Sequence, residues 1–323
     1  MSSLNERAWA LVEELLPDSD ELGITLQRLD CGSRVIDLGV RAPGGLSAGL
    51  AMARVGMAGL GEARINLDEL DGNPWPWVVV RSDRPLAACY LSQAAHWPVQ
   101  AGSFRAMGSG PACLLNRSID PGKKFGYREA AGKAVLVLES SNLPDDVVCR
   151  QLAAACGVDP AGLAVLVAPT SSLAGSAQIA ARSIETAIHK LAQLGFDPGK
   201  IISGIGRCPL AAPTGDALTA LGRTNDMMMF GSQVWLALRG VDEAGLPELA
   251  RRLPANASPG YGPSFLETLR AAGDFYAIDP GLFAPAEITL TSLDTGEVVH
   301  AGAVDTARLN AAKSGSPYTD HVS

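Results

Sequence analysis

The sequence predicts an α/β fold of mixed α+β character, with two domains built on mixed sheets. Four observations lead there. In the middle of the chain, two short Val- and Leu-rich runs alternate with two amphipathic segments, the order strand–helix–strand–helix. Gly and Pro bracket each of these segments. Towards the C-terminus two alternating segments flank Asp294-Thr295-Gly296, a hairpin that an α/β repeat does not require. At 323 residues the chain is long enough for two domains.

Taken in order, Trp9, Leu11, Val12, Leu15 and Leu16 recur at helical spacing near the N-terminus. That start lacks the basic residues and apolar stretch of a secretion signal. Residues 31–38 and 77–80 read as strands, separated by a stretch dense in glycine (Gly44, Gly45, Gly49, Gly56, Gly59, Gly61), and residues 85–95 read as a helix. Residues 134–138 form a fully buried strand, and the helix over 145–155 stops at Gly157. A second buried strand covers 163–167. A long helix then runs over 171–190 and ends by Gly195, ahead of Asp197-Pro198. A strand over 234–238, helices over 242–252 and 264–272, and the hairpin 288–293/298–301 complete the pattern. The Ser-, Gly- and Pro-rich tail after Lys313 frays. The expected division joins 1–130 with the C-terminal strands of 256–323, and leaves 131–255 as a central domain carrying the 171–190 helix.

Composition excludes several function classes. Hydrophobic residues are 47% and charged ones 19%, a globular balance. Asp plus Glu outnumber Lys plus Arg by 34 to 26, a net charge of −8 without basic runs, which argues against nucleic acid and anionic membranes as partners. No apolar run approaches the roughly 20 residues that span a bilayer. The six cysteines (31, 89, 113, 149, 156 and 208) form no C-x-x-C pair, so free thiols in a reducing, cytoplasmic compartment are expected. The four histidines (96, 189, 300 and 321) lie far apart and match no zinc spacing, so no catalytic metal is expected.

The 171–190 helix is the most informative segment. Ala177, Ala180, Ile184, Ile188 and Leu191 fall on one side of it, while Arg182, Glu185 and His189 line the other. A guanidinium and a carboxylate one turn apart on an anchored helix can serve a general base. The same spacing also fits a surface ion pair worth a few tenths of a kcal/mol. The lead-in Ala174-Gly175-Ser176-Ala177 lets another backbone or a ligand approach closely.

Three further constellations stand out. Gly108-Ser109-Gly110-Pro111 is a turn running into a helix start, where Pro is tolerated and free N–H groups can hold an anion. It is neither a P-loop nor a dinucleotide fingerprint, and the bare motif reads more simply as a structural turn. Arg223, Asn225 and Asp226 crowd hydrogen-bonding groups ahead of Met227-Met228-Met229-Phe230. They suit either the edge of a heterocycle and an acidic ligand tail, or a polar turn bonded to its own backbone. Tyr261, Phe265, Phe275 and Tyr276 concentrate a sparse aromatic supply, more simply core than a stacking platform. No nucleophile elbow is present. What remains is a reaction needing little help, water adding to an already electrophilic substrate.

On Gly108-Ser109-Gly110-Pro111-Ala112, Leu173 to Lys190, Gly222-Arg223-Thr224-Asn225-Asp226 and Asp274 to Pro285, the chain resembles the methenyltetrahydromethanopterin cyclohydrolases along almost its whole length. It departs from their pattern at Cys113, where Arg is more usual, and at Gly231-Ser232, where Gly-Gly is.

The resemblance implies a cytoplasmic two-domain α/β enzyme with a ligand pocket between its domains. It implies a homo-oligomer, trimer or dimer, with no metal or cofactor beyond the pterin one-carbon carrier that is its substrate. The implied reaction opens the methenyl bridge of 5,10-methenyl-tetrahydromethanopterin to the 5-formyl form in one-carbon metabolism, on a formaldehyde-oxidation route. It places Glu185 as the water-activating base, with Arg182 tuning it. Gly108, Ser109, Gly110, Pro111, Arg223, Asn225 and Asp226 become expected substrate contacts. Two other readings stay open: a carrier-binding protein that has lost the reaction, and an aminohydrolase for a related folate-like cation.

Overall fold

A computed structural model of the chain describes residues 3–93, 97–119, 122–242 and 244–314. The expected fraying after Lys313 falls mostly outside them. In chain order the elements are α1 (Leu4–Leu15), α2 (Ser19–Leu22), β1 (Thr25–Arg28), β2 (Arg34–Asp37), α3 (Leu46–Gly56), β3 (Glu62–Leu70) and β4 (Asn73–Ser82). Then come β5 (Trp97–Ala101), β6 (Phe104–Ser109), β7 (Ala134–Glu139), α4 (Asp146–Cys156), β8 (Leu163–Ala168) and α5 (Leu173–Ala180). The rest is α6 (Ser183–Gln193), β9 (Ile201–Pro209), α7 (Ala217–Gly231), β10 (Gln233–Leu238), α8 (Leu246–Arg251), α9 (Phe265–Ala272), β11 (Glu287–Ser292), β12 (Val298–Gly302) and α10 (Thr306–Ser314). No helix among the described residues is long and apolar enough to cross a membrane.

The α/β expectation holds, with two six-stranded mixed sheets. The domain division differs from the expected one. One unit comprises residues up to Ala63 and Arg84–Ile179, and the other Arg64–Asp83 and Ala180 onward. Strand pairing explains why. β7 and β8 run parallel beside β2, which ties 131–179 to the N-terminal segment. β11 instead pairs with β10, tying the C-terminal hairpin to the helix that carries Arg182 and Glu185.

The first unit's sheet has the order β1-β2-β8-β7-β6-β5. Both faces of its centre are covered. Val135, Val137 and Leu166 join Leu4, Val12, Met52 and Val55 of α1 and α3, whereas Leu136, Leu138 and Val165 join Cys149 and Leu152 of α4. Two-sided burial is why β7 and β8 read as unbroken apolar runs. α4 begins where the Asp145 side chain accepts the N–H of Val148 at 2.9 Å, and stops at left-handed Gly157. The glycine-dense stretch hides α3. Inside it, a Cβ on Gly49 would stand 2.5 Å from the Ala174 carbonyl oxygen, so this glycine is what lets α3 and α5 approach.

The helix expected over 85–95 is π-helical over Leu86–Ser92, and its residues 94 and 95 lie outside the described residues. The strand expected over 31–38 is shortened to β2 by a turn at Gly32.

The second unit's sheet has the order β12-β11-β10-β9-β4-β3. β3 and β4 reach it as one excursion out of the first unit's chain. Burial alternates along its strands. Gly204, Gly206, Val234, Leu236, Ile288 and Leu290 are covered, whereas Ile205, Arg207, Trp235 and Thr289 lie on the opposite, more open side. Helices α6 and α7 pack on this sheet, α6 placing Ile184 over Gly204 and Gly206 and α7 placing Gly231 on Pro209.

Candidate active site

The long helix expected over 171–190 is interrupted. α5 ends at Ala180, Ala181 and Arg182 form a turn, and α6 starts at Ser183. The division between the two units falls at the same place. No Gly or Pro marks the break. Arg182 is therefore the residue immediately before α6, with non-helical φ −95° and ψ 7°, and its carbonyl takes the first helical bond, from the N–H of Thr186 at 3.0 Å. Glu185 is the third residue of the helix, where the partial positive charge of the unpaired N–H groups favours a carboxylate.

The apolar face behaves as expected, Ile184, Ile188 and Leu191 being wholly buried. The polar face does not lie in open solvent. Arg182 Nε stands 3.5 Å from Glu185 Oε2, and the two side chains are only 8% and 9% exposed. That burial removes the surface-pair reading. Two buried charges cost several kcal/mol to desolvate, and a pair at 3.5 Å, longer than a good hydrogen bond, recovers only part of that. Such a pair is weak evidence for stability, which leaves Arg182 and Glu185 as candidates for the reacting groups. His189, the third member of the stripe, is half-buried and lies 3.2 Å from Gln193 through Nδ1.

Arg223, Asn225 and Asp226 sit inside the continuous helix α7, which overturns the polar-turn reading. Asn225 does bond its own backbone, donating to the Leu221 carbonyl at 2.8 Å. Asp226 faces α9, its Oδ1 accepting the N–H of Phe265 at 2.7 Å. Burial raises the Asp226 carboxyl to about 7, with the Phe265 bond pulling it down and nearby Glu267 pushing it up. No ion pair between Arg223 and Asp226 is found among the described residues, and Arg223 Nε is buried with no hydrogen-bond partner.

α6 and α7 meet where Thr186 Oγ1 lies 3.8 Å from Met228 Sδ, beside Glu185 in sequence. Lys190, which the sequence reading passed over, is buried near the end of α6 and donates to the Gly281 carbonyl at 2.8 Å. Burial lowers its pKa, against the pull of Asp279. A lysine beside the apolar residues of a helix was the available signal.

Gly108, Ser109, Gly110 and Pro111 belong to the first unit and are all buried. β6 ends at Ser109, Gly110 takes φ +93°, and Pro111 opens a short 3₁₀ turn, as expected of a Pro at a helix start. A Cβ on Gly110 would come within 3.3 Å of the β7 backbone, and Asn5 donates to the Pro111 carbonyl at 2.8 Å. These contacts support the structural reading of the turn. Phe265, Phe275 and Phe283 pack on one another at 5.4–6.1 Å, and Tyr261 meets Phe230 edge-on at 5.4 Å. Phe265 is core, and Tyr261 and Phe275 are half-buried and packed on other aromatic rings. Among the described residues no group of three or more His, Cys, Asp or Glu is placed to hold a metal ion; His96 and His321 lie outside them.

Comparison with known proteins bears on this arrangement. A family profile described as cyclohydrolase (MCH) matches residues 3–312. A methenyltetrahydromethanopterin cyclohydrolase of Methanospirillum hungatei is 38% identical over 309 residues, 94% of this chain and 96% of the relative. Enzymes of the same name from Methanocorpusculum labreanum and Methylobacillus flagellatus are 40% and 39% identical over 311 residues. Each alignment covers 95% of this chain, with 97% and 94% of the respective relative.

Proposed function

The chain belongs to the methenyltetrahydromethanopterin cyclohydrolase family, and we propose that Glu185 activates the attacking water while Arg182 holds that carboxylate in place. The activity is hydrolysis of 5,10-methenyl-tetrahydromethanopterin to its 5-formyl form. The observation that carries the residue assignment is the buried Arg182–Glu185 pair at the start of α6.

The chemistry suits one carboxylate. The methenyl carbon lies between two nitrogens that share its positive charge, so water attacks it without a Lewis acid or cofactor. Glu185 takes one proton as the water oxygen bonds to that carbon. In the collapse that follows, the bond from carbon to N10 breaks, the new hydroxyl gives up its proton to become the formyl oxygen, and N10 is protonated. The sum is one water consumed and one proton released. Attraction between Glu185 and the cationic substrate favours ground and transition states alike, so the rate gain lies in positioning the water.

Arg223, with its buried and unpartnered Nε, is placed here as the cation for the acidic tail of the carrier, and Asn225 beside it as a further contact. Six free cysteines support a cytoplasmic location. Self-association is assigned to the open side of the second sheet. Ile205, 47% exposed, and Trp235 lie there beside Arg207 and Glu287, charges of both signs that two copies can exchange across a symmetric contact.

Glu185→Gln tests the assignment. Loss of the methenyl absorbance should slow by at least about 100-fold while substrate binding survives. Unchanged turnover removes Glu185 from the mechanism.

A further inference from the structure

The first turn of α6 rests on two glycines. Gly204 and Gly206 stand two apart on β9 and so face the same side of the sheet, the side that carries the helix. A Cβ on Gly204 would meet Ile184 at 3.4 Å and Leu236 at 3.0 Å, the ends of flexible side chains. Gly206 is different. A Cβ there would overlap Ser183 Oγ and reach Ser183 Cβ at 3.2 Å and Ile184 Cγ1 at 3.1 Å, side-chain atoms close to where they leave the helix and unable to swing away as chain ends do.

Ser183 is wholly buried, and its Oγ has no hydrogen-bond partner among the described residues. That oxygen occupies the space a side chain on Gly206 would take. A hydroxyl kept there at a desolvation cost, against the one residue type that leaves it room, marks a fit that stability alone would not select. Ser183 lies between Arg182 and Ile184, at the point where the chain turns into α6.

We propose that Gly206, with Ser183 seated on it, sets where the first turn of α6 lies and thereby where Arg182 and Glu185 stand for the reaction. Gly206 touches neither substrate nor reacting atoms; it is a positioning residue. The inference rests on the reading of Glu185 as the base. A methyl on Gly206 lifts the helix start by several tenths of an ångström, and misplacement on that scale lowers the chemical step more than substrate binding.

The test is steady-state kinetics and thermal unfolding of the full chain as Gly206→Ala, Gly206→Ala/Ser183→Ala, Gly204→Ala and Glu185→Gln. Gly206→Ala is expected to lose about 10-fold or more in kcat with KM within about 3-fold. Adding Ser183→Ala, which removes the overlapped oxygen, should restore kcat to within about 3-fold of the parent. Gly204→Ala should lower the melting temperature without this kcat loss. A Gly206→Ala enzyme at parental kcat, or a loss that Ser183→Ala does not repair, overturns the inference. Should Gly206→Ala not fold, Ser183→Thr adds a methyl to the same contact from the helix side, and parental kcat there overturns it equally. Turnover surviving in Glu185→Gln overturns the base assignment and this inference with it. An inactive Glu185→Gln beside a fully active Gly206→Ala overturns this inference alone.

Discussion

Asp226 on α7 accepts the N–H of Phe265, the first residue of α9, at 2.7 Å, so a buried carboxyl joins one helix to the start of another. The two helices are close enough for this because Gly222, one turn earlier, lies under Leu266, where a Cβ would stand 2.5 Å from Leu266 Cγ.

That carboxyl makes stability depend on pH in a stated direction. In the folded chain it keeps its proton up to about pH 7, whereas an unfolded aspartate releases it near pH 4. Between those values the unfolded state binds fewer protons, so stability falls as pH rises and the loss is complete above about 7. Asp226→Asn keeps an acceptor for Phe265 without the charge. Urea unfolding at pH 5 and pH 8 should show a smaller fall in the variant, by an amount bounded at about 3 kcal/mol. An identical fall in both proteins refutes the assignment.

Arg182 is expected to matter twice. Arg182→Leu leaves the buried Glu185 without its partner, which should cost about 3–5 kcal/mol of stability and lower kcat by at least about 10-fold. Arg182→Lys keeps the charge but loses the planar fork and should fall between. Calorimetry and initial rates on the same preparations separate the two effects.

Gly49→Ala should destabilise although Ala is the better helix former by about 1 kcal/mol. The added carbon would stand 2.5 Å from the Ala174 carbonyl oxygen and 2.8 Å from Ala177 Cβ, and overpacking of that kind costs about 1–3 kcal/mol. A rise in melting temperature would contradict the close approach of α3 and α5.

Ile205→Asp places a charge on the open side of the second sheet, where the parent residue is 47% exposed. Light scattering should find smaller assemblies than for the parent protein, with the monomer's circular dichroism unchanged. Assembly unaffected by the charge assigns self-association to another surface.

The sequence by itself determined the α/β class, the strands that became β7 and β8, and the pairing of Arg182 with Glu185. Each is a local pattern: a strand covered on both faces must be apolar throughout, and residues three apart on a helix start are neighbours whatever surrounds them. Tertiary structure decided the rest. β9 was not legible because two of its core-facing positions, Gly204 and Gly206, are glycines, chosen for the helix that lies on them rather than for hydrophobicity. Residues 223–226 of α7 left a polar turn open as one of two readings because a face of that helix, with Gly222 and Asp226, is shaped for α9. The break before α6 carries no local stop signal, and it converts a stripe on a long helix into a buried pair at a helix start. Burial is a property of what the whole chain packs around a residue. Spacing places two charges side by side, but only the assembled fold removes water from them.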